Sequence, residues 1–152
     1  MRPALVETLV FLDRLADRAG VAPVLFGTVV LELKGIGDFT AADLDVIIHA
    51  EEAKALAAAA GIDPGGESGN DKFRSVVHLH LSGAPLVVDV MAGMSVHTAD
   101  GWVLYEMGET VEIEAVGKRF RAASLADLRR FYRLAGRAKD EAKIAALDVI
   151  VA

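Results

Sequence analysis

The sequence predicts a single α+β (α/β-like) domain over residues 1–152, built on a mixed, mostly antiparallel sheet flanked by helices. Three observations lead there. Helical periodicity marks both ends of the chain, over residues 3–20 and 124–151. Short apolar runs between turn residues mark strands through the middle. In order, the elements read helix, strand, helix, strand, helix, hairpin, strands and two closing helices, a mixture that one sheet covered by helices accommodates.

Composition sets the frame. A chain of 152 residues fits one domain and can bury a proper core. Its 53% hydrophobic and 25% charged residues are globular rather than disordered. The net charge of −6 argues against a broad basic surface for nucleic acid, although a local basic patch remains open. There is no cysteine, which excludes disulfides, thiolate metal sites and thiol nucleophiles. Glu7 and Asp13 interrupt the apolar pattern at the N-terminus, which fits an amphipathic helix and not a signal peptide. No apolar run approaches the ~18 residues of a membrane span. The expectation is a soluble, cytoplasmic protein with no membrane partner.

Pro3 suits the first turn of a helix, Leu5, Leu9, Leu12 and Leu15 follow at helical spacing, and Gly20 stops it. Val21 to Phe26 reads as a short buried strand. Thr28 to Lys34 reads as a short helix opened by Gly27-Thr28, which is either a phosphate-binding helix start or a plain strand-to-helix turn. Gly35 to Ala42 is loop, and Asp43 to His49 is a strand. Glu51 to Ala60 is an alanine-rich helix closed by Gly61. Asp63 to Asp71, with Pro64, Gly65, Gly66 and Gly69, reads as a surface loop in preference to a lid.

A hairpin follows. Phe73 to Leu81 alternates, Ser82 to Pro85 turns, and Leu86 to Met91 returns. A two-residue loop at Gly83-Ala84 would place His78 directly opposite Asp89, the only charge in that apolar return strand. His78 and His80 are otherwise half-exposed strand residues, because two histidines without a third ligand seldom hold a metal. Met94 to Gly101 is expected as loop, with short strands at Trp102 to Tyr105, Glu109 to Ala115 and Lys118 to Arg121. Glu112 and Glu114 mark the second of these as a solvated edge. Ser124 caps a helix that runs to about Ala135, with Asp127 at its third position and Gly136 as its stop. The last helix runs from about Lys139 to Val151. Arg129, Arg130, Arg133, Arg137 and Lys139 form the one concentrated basic region, suited either to anion recognition or to a solvated helix face.

The most chemically loaded stretch is Asp43-Leu44-Asp45. Residues i and i+2 of a strand share a face, so the two carboxylates would project together while Leu44 and Val46 point away. Like charges so placed repel unless a cation lies between them, and hard divalent ions prefer oxygen ligands.

Gly27-Thr28, then Asp43-Leu44-Asp45, then Asp89 in an apolar strand resembles the nucleotidyltransferase superfamily of the polymerase-β type. Its members carry Gly-Ser or Gly-Gly at a helix start, an acidic pair on the next strand and a third Asp on a later one. Ser124 to Leu147 is similar to the stretch that closes many small bacterial nucleotidyltransferase-like domains, including the lincosamide-modifying and abortive-infection toxin types. There a helix ends in Gly-Arg-x-Lys-Asp; here those positions are Gly136, Arg137, Ala138, Lys139 and Asp140. The resemblance spans about Val24 to Leu147. Thr28 stands where relatives have Ser or Gly, Phe39 where many have Arg, Ala41 where toxin types often have Thr, and Tyr132 where a helical lysine is common.

This resemblance implies a nucleotidyltransferase fold and an Mg2+-dependent (or Mn2+-dependent) transfer of a nucleoside monophosphate from a nucleoside triphosphate such as ATP to a hydroxyl acceptor. Asp43 and Asp45 would bind the ion that carries the β- and γ-phosphates. Asp89 would share a second ion and help deprotonate the acceptor. Gly27 and Thr28 would meet the phosphates, and Lys139, with Arg133 or Arg137, the remaining negative charge. Two other readings are carried beside it. One is a nucleotide-binding relative without transferase activity, in line with Phe39 and the altered flanks. The other is a module of a toxin–antitoxin or defence pair, completed by a partner protein. No stretch identifies the acceptor as small molecule, protein or RNA. Its contacts are expected from residues 63–71, residues 94–101 or another subunit, as in a homo-oligomer.

Overall fold

The structure is a computed structural model and describes residues 1–151. The first helix, α1 (Pro3–Ala19), has Pro3 in its opening turn and ends at Gly20, whose φ of +71° is the left-handed conformation glycine adopts without strain. Its buried stripe is the predicted one: Leu5, Leu9, Leu12 and Leu15. Next come β1 (Val24–Phe26), α2 (Thr28–Leu33), β2 (Leu44–Ile47) and α3 (Ala50–Ala60). The middle of the chain holds β3 (Ser68–Gly69), β4 (Phe73–Ser75), β5 (Val77–Leu81), β6 (Val88–Ala92), β7 (Ser95–Thr98) and β8 (Gly101–Leu104). A hairpin of β9 (Thr110–Ala115) and β10 (Lys118–Ala123) leads to α4 (Leu125–Ala135), a single 3-10 turn (Ala138–Asp140) and α5 (Glu141–Ile150). No helix among the described residues is long and apolar enough to cross a membrane.

The strands form two sheets where the sequence suggested one. The main, six-stranded sheet has the order β5-β6-β2-β1-β10-β9, and a four-stranded antiparallel sheet has the order β3-β4-β7-β8. In the main sheet β1 runs parallel to β10 and β2 parallel to β6; the other pairs are antiparallel. β9 is an edge strand as expected. Glu112 and Glu114 face Arg121 and Arg119 across the hairpin, so the exposed row carries alternating charge.

The second sheet arises from two departures. The strand expected over Phe73 to Leu81 breaks at Val76, so that β4 pairs with β7 and β5 with β6. The segment expected as loop, Met94 to Gly101, contains β7, which pairs with both β4 and β8. Alternation was right locally; which partner each half finds is a tertiary choice.

The hairpin register also differs. His80, not His78, lies opposite Asp89, and His78 lies opposite Met91. The connection is no tight turn, because residues 82–87 are docked onto α1. The buried Thr8 hydroxyl accepts the Leu86 N–H at 3.1 Å, and the Val87 carbonyl accepts the Leu44 N–H at 2.9 Å. The register moves by two residues, and two residues preserve the face of a strand. Both histidines therefore stay on the side of Asp89.

A second tether sets the entry to β2. Glu32, near the end of α2, accepts hydrogen bonds from Arg2 Nε and Nη2, each at 2.8 Å, and from the Ala41 N–H at 2.7 Å. Arg2 also donates to the Ala41 carbonyl at 2.8 Å. The loop that delivers Asp43 and Asp45 is thus held at its far end by a carboxylate. The Arg2 hydrogen bond holds the Glu32 carboxyl below its ordinary value of 4.5. A depressed acid contributes stability that is complete above its unfolded value and is lost as pH falls through its folded one. Glu32→Gln is expected to lower Tm at pH 7, with the gap to wild type closing as thermal melts are taken down from pH 5 to pH 3; a gap constant with pH would contradict the charged role.

Candidate active site

The main sheet brings its chemistry together at one end. β1 and β6 flank β2, so Phe26 pairs with Asp45 on one side and Asp89 lies level with Asp45 on the other. Leu44 and Val46 are fully buried on the opposite face, and Asp45 is half-buried on this one. Asp43 falls one residue before the strand, in an exposed bend, close enough to act on Asp45 electrostatically. Gly27 joins β1 to α2 with φ +76° and ψ −146°, a conformation open in practice only to glycine. A Cβ there would come 3.2 Å from Asp45 Oδ2. The backbone conformation requires glycine at this turn, and a Cβ would in addition press tightly on the Asp45 carboxylate.

The electrostatics of Asp45 follow from its position. Burial, then Asp89, then Asp43 push its carboxyl up to about 7, while Lys143 and His78 oppose the shift. Carboxylates crowded in this way fit a hard divalent cation, which supplies the charge the protein side lacks. A cavity of about 220 Å³ opens over this end of the sheet. Gly27, Thr28 and Asp45 line it, as do Ser68 and Gly69 of β3 and the adjoining Asn70. Phe73 stacks on Phe131 along one wall. Arg74, Arg137, Lys139 and Lys143 bring positive charge to it.

The predicted basic region does not act as one patch. Arg133, expected at the anion site, does not line the cavity and donates to Asp148 at 2.7 Å. Adjacent helix positions differ by about 100°, and Tyr132 is the one that points inward. Arg129 joins Asp148 and the Val151 carbonyl, and Arg130 binds Asp127 and the Glu106 carbonyl. Asp127 is buried and also accepts the Tyr105 hydroxyl, while its backbone N–H meets Ser124 as the capping pattern predicted. Arg137 lines the cavity but is engaged by the fully buried Asp140 through Nε at 2.7 Å and Nη2 at 3.0 Å. Its guanidinium also sits 4.8 Å from the Phe73 ring.

Two side chains escaped the sequence reading. Lys143 lines the cavity with its ammonium 5.2 Å from the Tyr132 ring, and burial pulls its pKa down. Its signal was its spacing: Lys143 follows Lys139 by four residues, the spacing that shares a face if the helix is continuous. Tyr132 is the other. Its hydroxyl is buried beside Thr28 without a hydrogen bond of good geometry, and burial pushes its pKa up.

His78 and His80 meet Asp89. His78 Nε2 lies 3.6 Å and His80 Nδ1 2.5 Å from Asp89 Oδ1, and the two imidazole rings are 4.3 Å apart.

No protein-family model and no curated protein matches the chain. Solved structures do. A Thermotoga maritima protein assigned as a nucleotidyltransferase superposes with a TM-score of 0.66 at 19% identity, over 91% of this chain and 90% of that one. ANT(2'')-Ia, in complex with adenylyl-2''-tobramycin, gives 0.56 at 13% identity over 95% of this chain and 88% of its own. The solution structure of the same antibiotic-resistance factor gives 0.56 at 14% identity, over 95% and 83%. At these identities the likeness is one of fold: the chain has the nucleotidyltransferase fold.

The raised Asp45 carboxyl carries a stability consequence. An acid whose folded pKa exceeds its unfolded one costs stability as pH rises between the two, here from about 4 to about 7. In chelator, Asp45→Asn should therefore stabilise the protein at pH 8, on the order of 2–4 kcal/mol, and by progressively less toward pH 4. Urea denaturation at both pH values reads the difference; equal gains at each would refute the burial argument.

Proposed function

We propose that the chain is a metal-dependent nucleotidyltransferase, moving a nucleoside monophosphate from a nucleoside triphosphate to a hydroxyl acceptor. The observation that carries this reading is the division of charge at the cavity: Asp45, crowded by Asp89 and Asp43, on the sheet, and Lys139 of the 3-10 turn with Lys143 of α5 also lining it. A polyphosphate bound with a divalent cation matches both halves.

Asp43, Asp45 and Asp89 would hold Mg2+ or Mn2+. A divalent ion there neutralises phosphate oxygens and makes a bound hydroxyl more acidic. The chain's own groups do the rest. Asp45, whose carboxyl burial and its acidic neighbours push up to about 7, would ionise fully as a ligand to that ion. Gly27 lets the backbone approach the phosphates closely, and the Thr28 hydroxyl offers them a donor. Lys139 and Lys143 meet the triphosphate's remaining charge, with Arg137 restrained beside them by Asp140. Asp89 accepts the proton of the acceptor hydroxyl, whose oxygen forms the new bond to the α-phosphorus as the bond to pyrophosphate breaks. Ser68, Gly69 and Asn70 are the side of the cavity where an acceptor would be met. A binding-only reading is favoured by one feature: the uncharged Tyr132 stands where a cationic side chain is common.

Calorimetric titration with each of the four nucleoside triphosphates, with and without Mg2+ or Mn2+, tests the first reading. Binding should require the metal and be lost in Asp45→Asn, and Lys143→Met should weaken it about tenfold, or about 1.4 kcal/mol. Metal-independent binding that survives Asp45→Asn would overturn the site. Pyrophosphate release then separates transfer from binding alone.

A further inference from the structure

We propose that His78, His80 and Asp89 form a nitrogen-containing binding site for a first-row transition ion, of the Mn2+, Co2+ or Zn2+ class, rather than for Mg2+. The site rests on donor positions and not on the transferase reading, although it shares Asp89 with it.

The backbone builds the arrangement. His78 and His80 alternate on one face of β5, and β6 places Asp89 opposite His80 on the same face. One donor atom from each of the three lies within 4.8 Å of the others. An ion bonded to nitrogen and carboxylate oxygen at about 2.0–2.2 Å holds its donors roughly 3–4 Å apart, so side-chain rotation must draw the widest of these donors closer. The strands themselves need not move. His80 is the mobile member, at 65% exposure, whereas Asp89 and His78 are held at 16% and 24%.

The polar bookkeeping within the cluster is incomplete. His78 Nε2 and Asp89 Oδ1 are both buried, and neither finds a hydrogen-bond partner. His80 Nδ1 is 2.5 Å from the same oxygen without the geometry of a hydrogen bond. Buried nitrogen and carboxylate lone pairs left unmatched are costly, and most buried polar atoms find a partner. A single cation among the three satisfies both orphaned atoms at once.

Ligand chemistry selects the ion. Mg2+ demands an oxygen octahedron and keeps its waters, whereas imidazole suits the later first-row ions. Two histidines and one carboxylate, open to the solvent on the side of His80, leave a position for water or substrate, as catalytic metal sites do. With no cysteine in the chain, imidazole is the softest strong donor it has.

The experiment uses the full chain without nucleotide. With one equivalent of Mn2+, electron spin-echo modulation should show coupling to 14N, diminished in His78→Gln and again in His80→Gln. Calorimetry should give Zn2+ binding at least about 100-fold tighter than Mg2+, falling at least about tenfold in His80→Gln. Because His80 is exposed, that variant should stay folded, which thermal melts check. Bound Mn2+ without 14N modulation, or no binding of either ion, overturns the proposal and leaves His80 and Asp89 as a plain ion pair. Nitrogen coupling without nucleotide binding would keep this site and sink the transferase; Mg2+-nucleotide binding with Mn2+ lacking 14N modulation would do the reverse.

Discussion

Asp45 and Asp89 lie level with each other on neighbouring parallel strands, and the remaining features of the site answer to that constraint. Two carboxylates at adjacent sheet positions, one largely shielded from water, cannot both ionise freely without a compensating charge. The protein supplies part of it through Lys143 and His78, and the Asp45 carboxyl is still pushed up to about 7. The same crowding dictates the neighbouring turn. Gly27 passes so close to Asp45 that any side chain would meet the carboxylate, so the residue that permits the strand-to-helix reversal also keeps the cavity floor open.

Placement of these acids depends on contacts far from them. α1 anchors both approaches: Arg2 with Glu32 fixes the loop leading into β2, and Thr8 fixes the connection leading into β6. One tether uses Arg2, the residue just ahead of the helix, and the other uses Thr8, which lies among the helix's core leucines. The helix therefore sets the spacing of the two acid-bearing strands as well as covering the sheet. On the far side, the buried Asp140 holds Arg137 at the start of α5, which fixes the face on which Lys139 and Lys143 stand.

What was legible in the sequence was local. The α1 leucine stripe, the Ser124 cap and the Leu44–Val46 alternation each depend on residues within one turn or one strand, and each is present in the structure. The fold itself was legible through the order of Gly27-Thr28, Asp43-Leu44-Asp45 and Asp89. What was not legible required knowing a distant partner. No pattern in residues 73–81 says that Val76 divides the strand between two sheets, or that residues 94–101 will find β4. The phase of α4 separates Arg133 from Tyr132 by one residue, and that one step puts Tyr132 at the cavity and Arg133 against Asp148.

The hairpin error shows why some wrong detail leaves chemistry intact. The register moved by an even number of residues because residues 82–87 lie along α1 instead of turning tightly. An odd shift would have sent both histidines to the buried face, where Leu79 and Leu81 now pack. Apolar burial thus enforces parity more strictly than it enforces register. The side chains that share the face of Asp89 were predictable from alternation alone, while which of them touches it was decided by a threonine on α1. The same logic applies to the positive side of the cavity. Lys143, on the helix that follows Tyr132, carries its ammonium 5.2 Å from that ring and so brings positive charge to bear on Asp45.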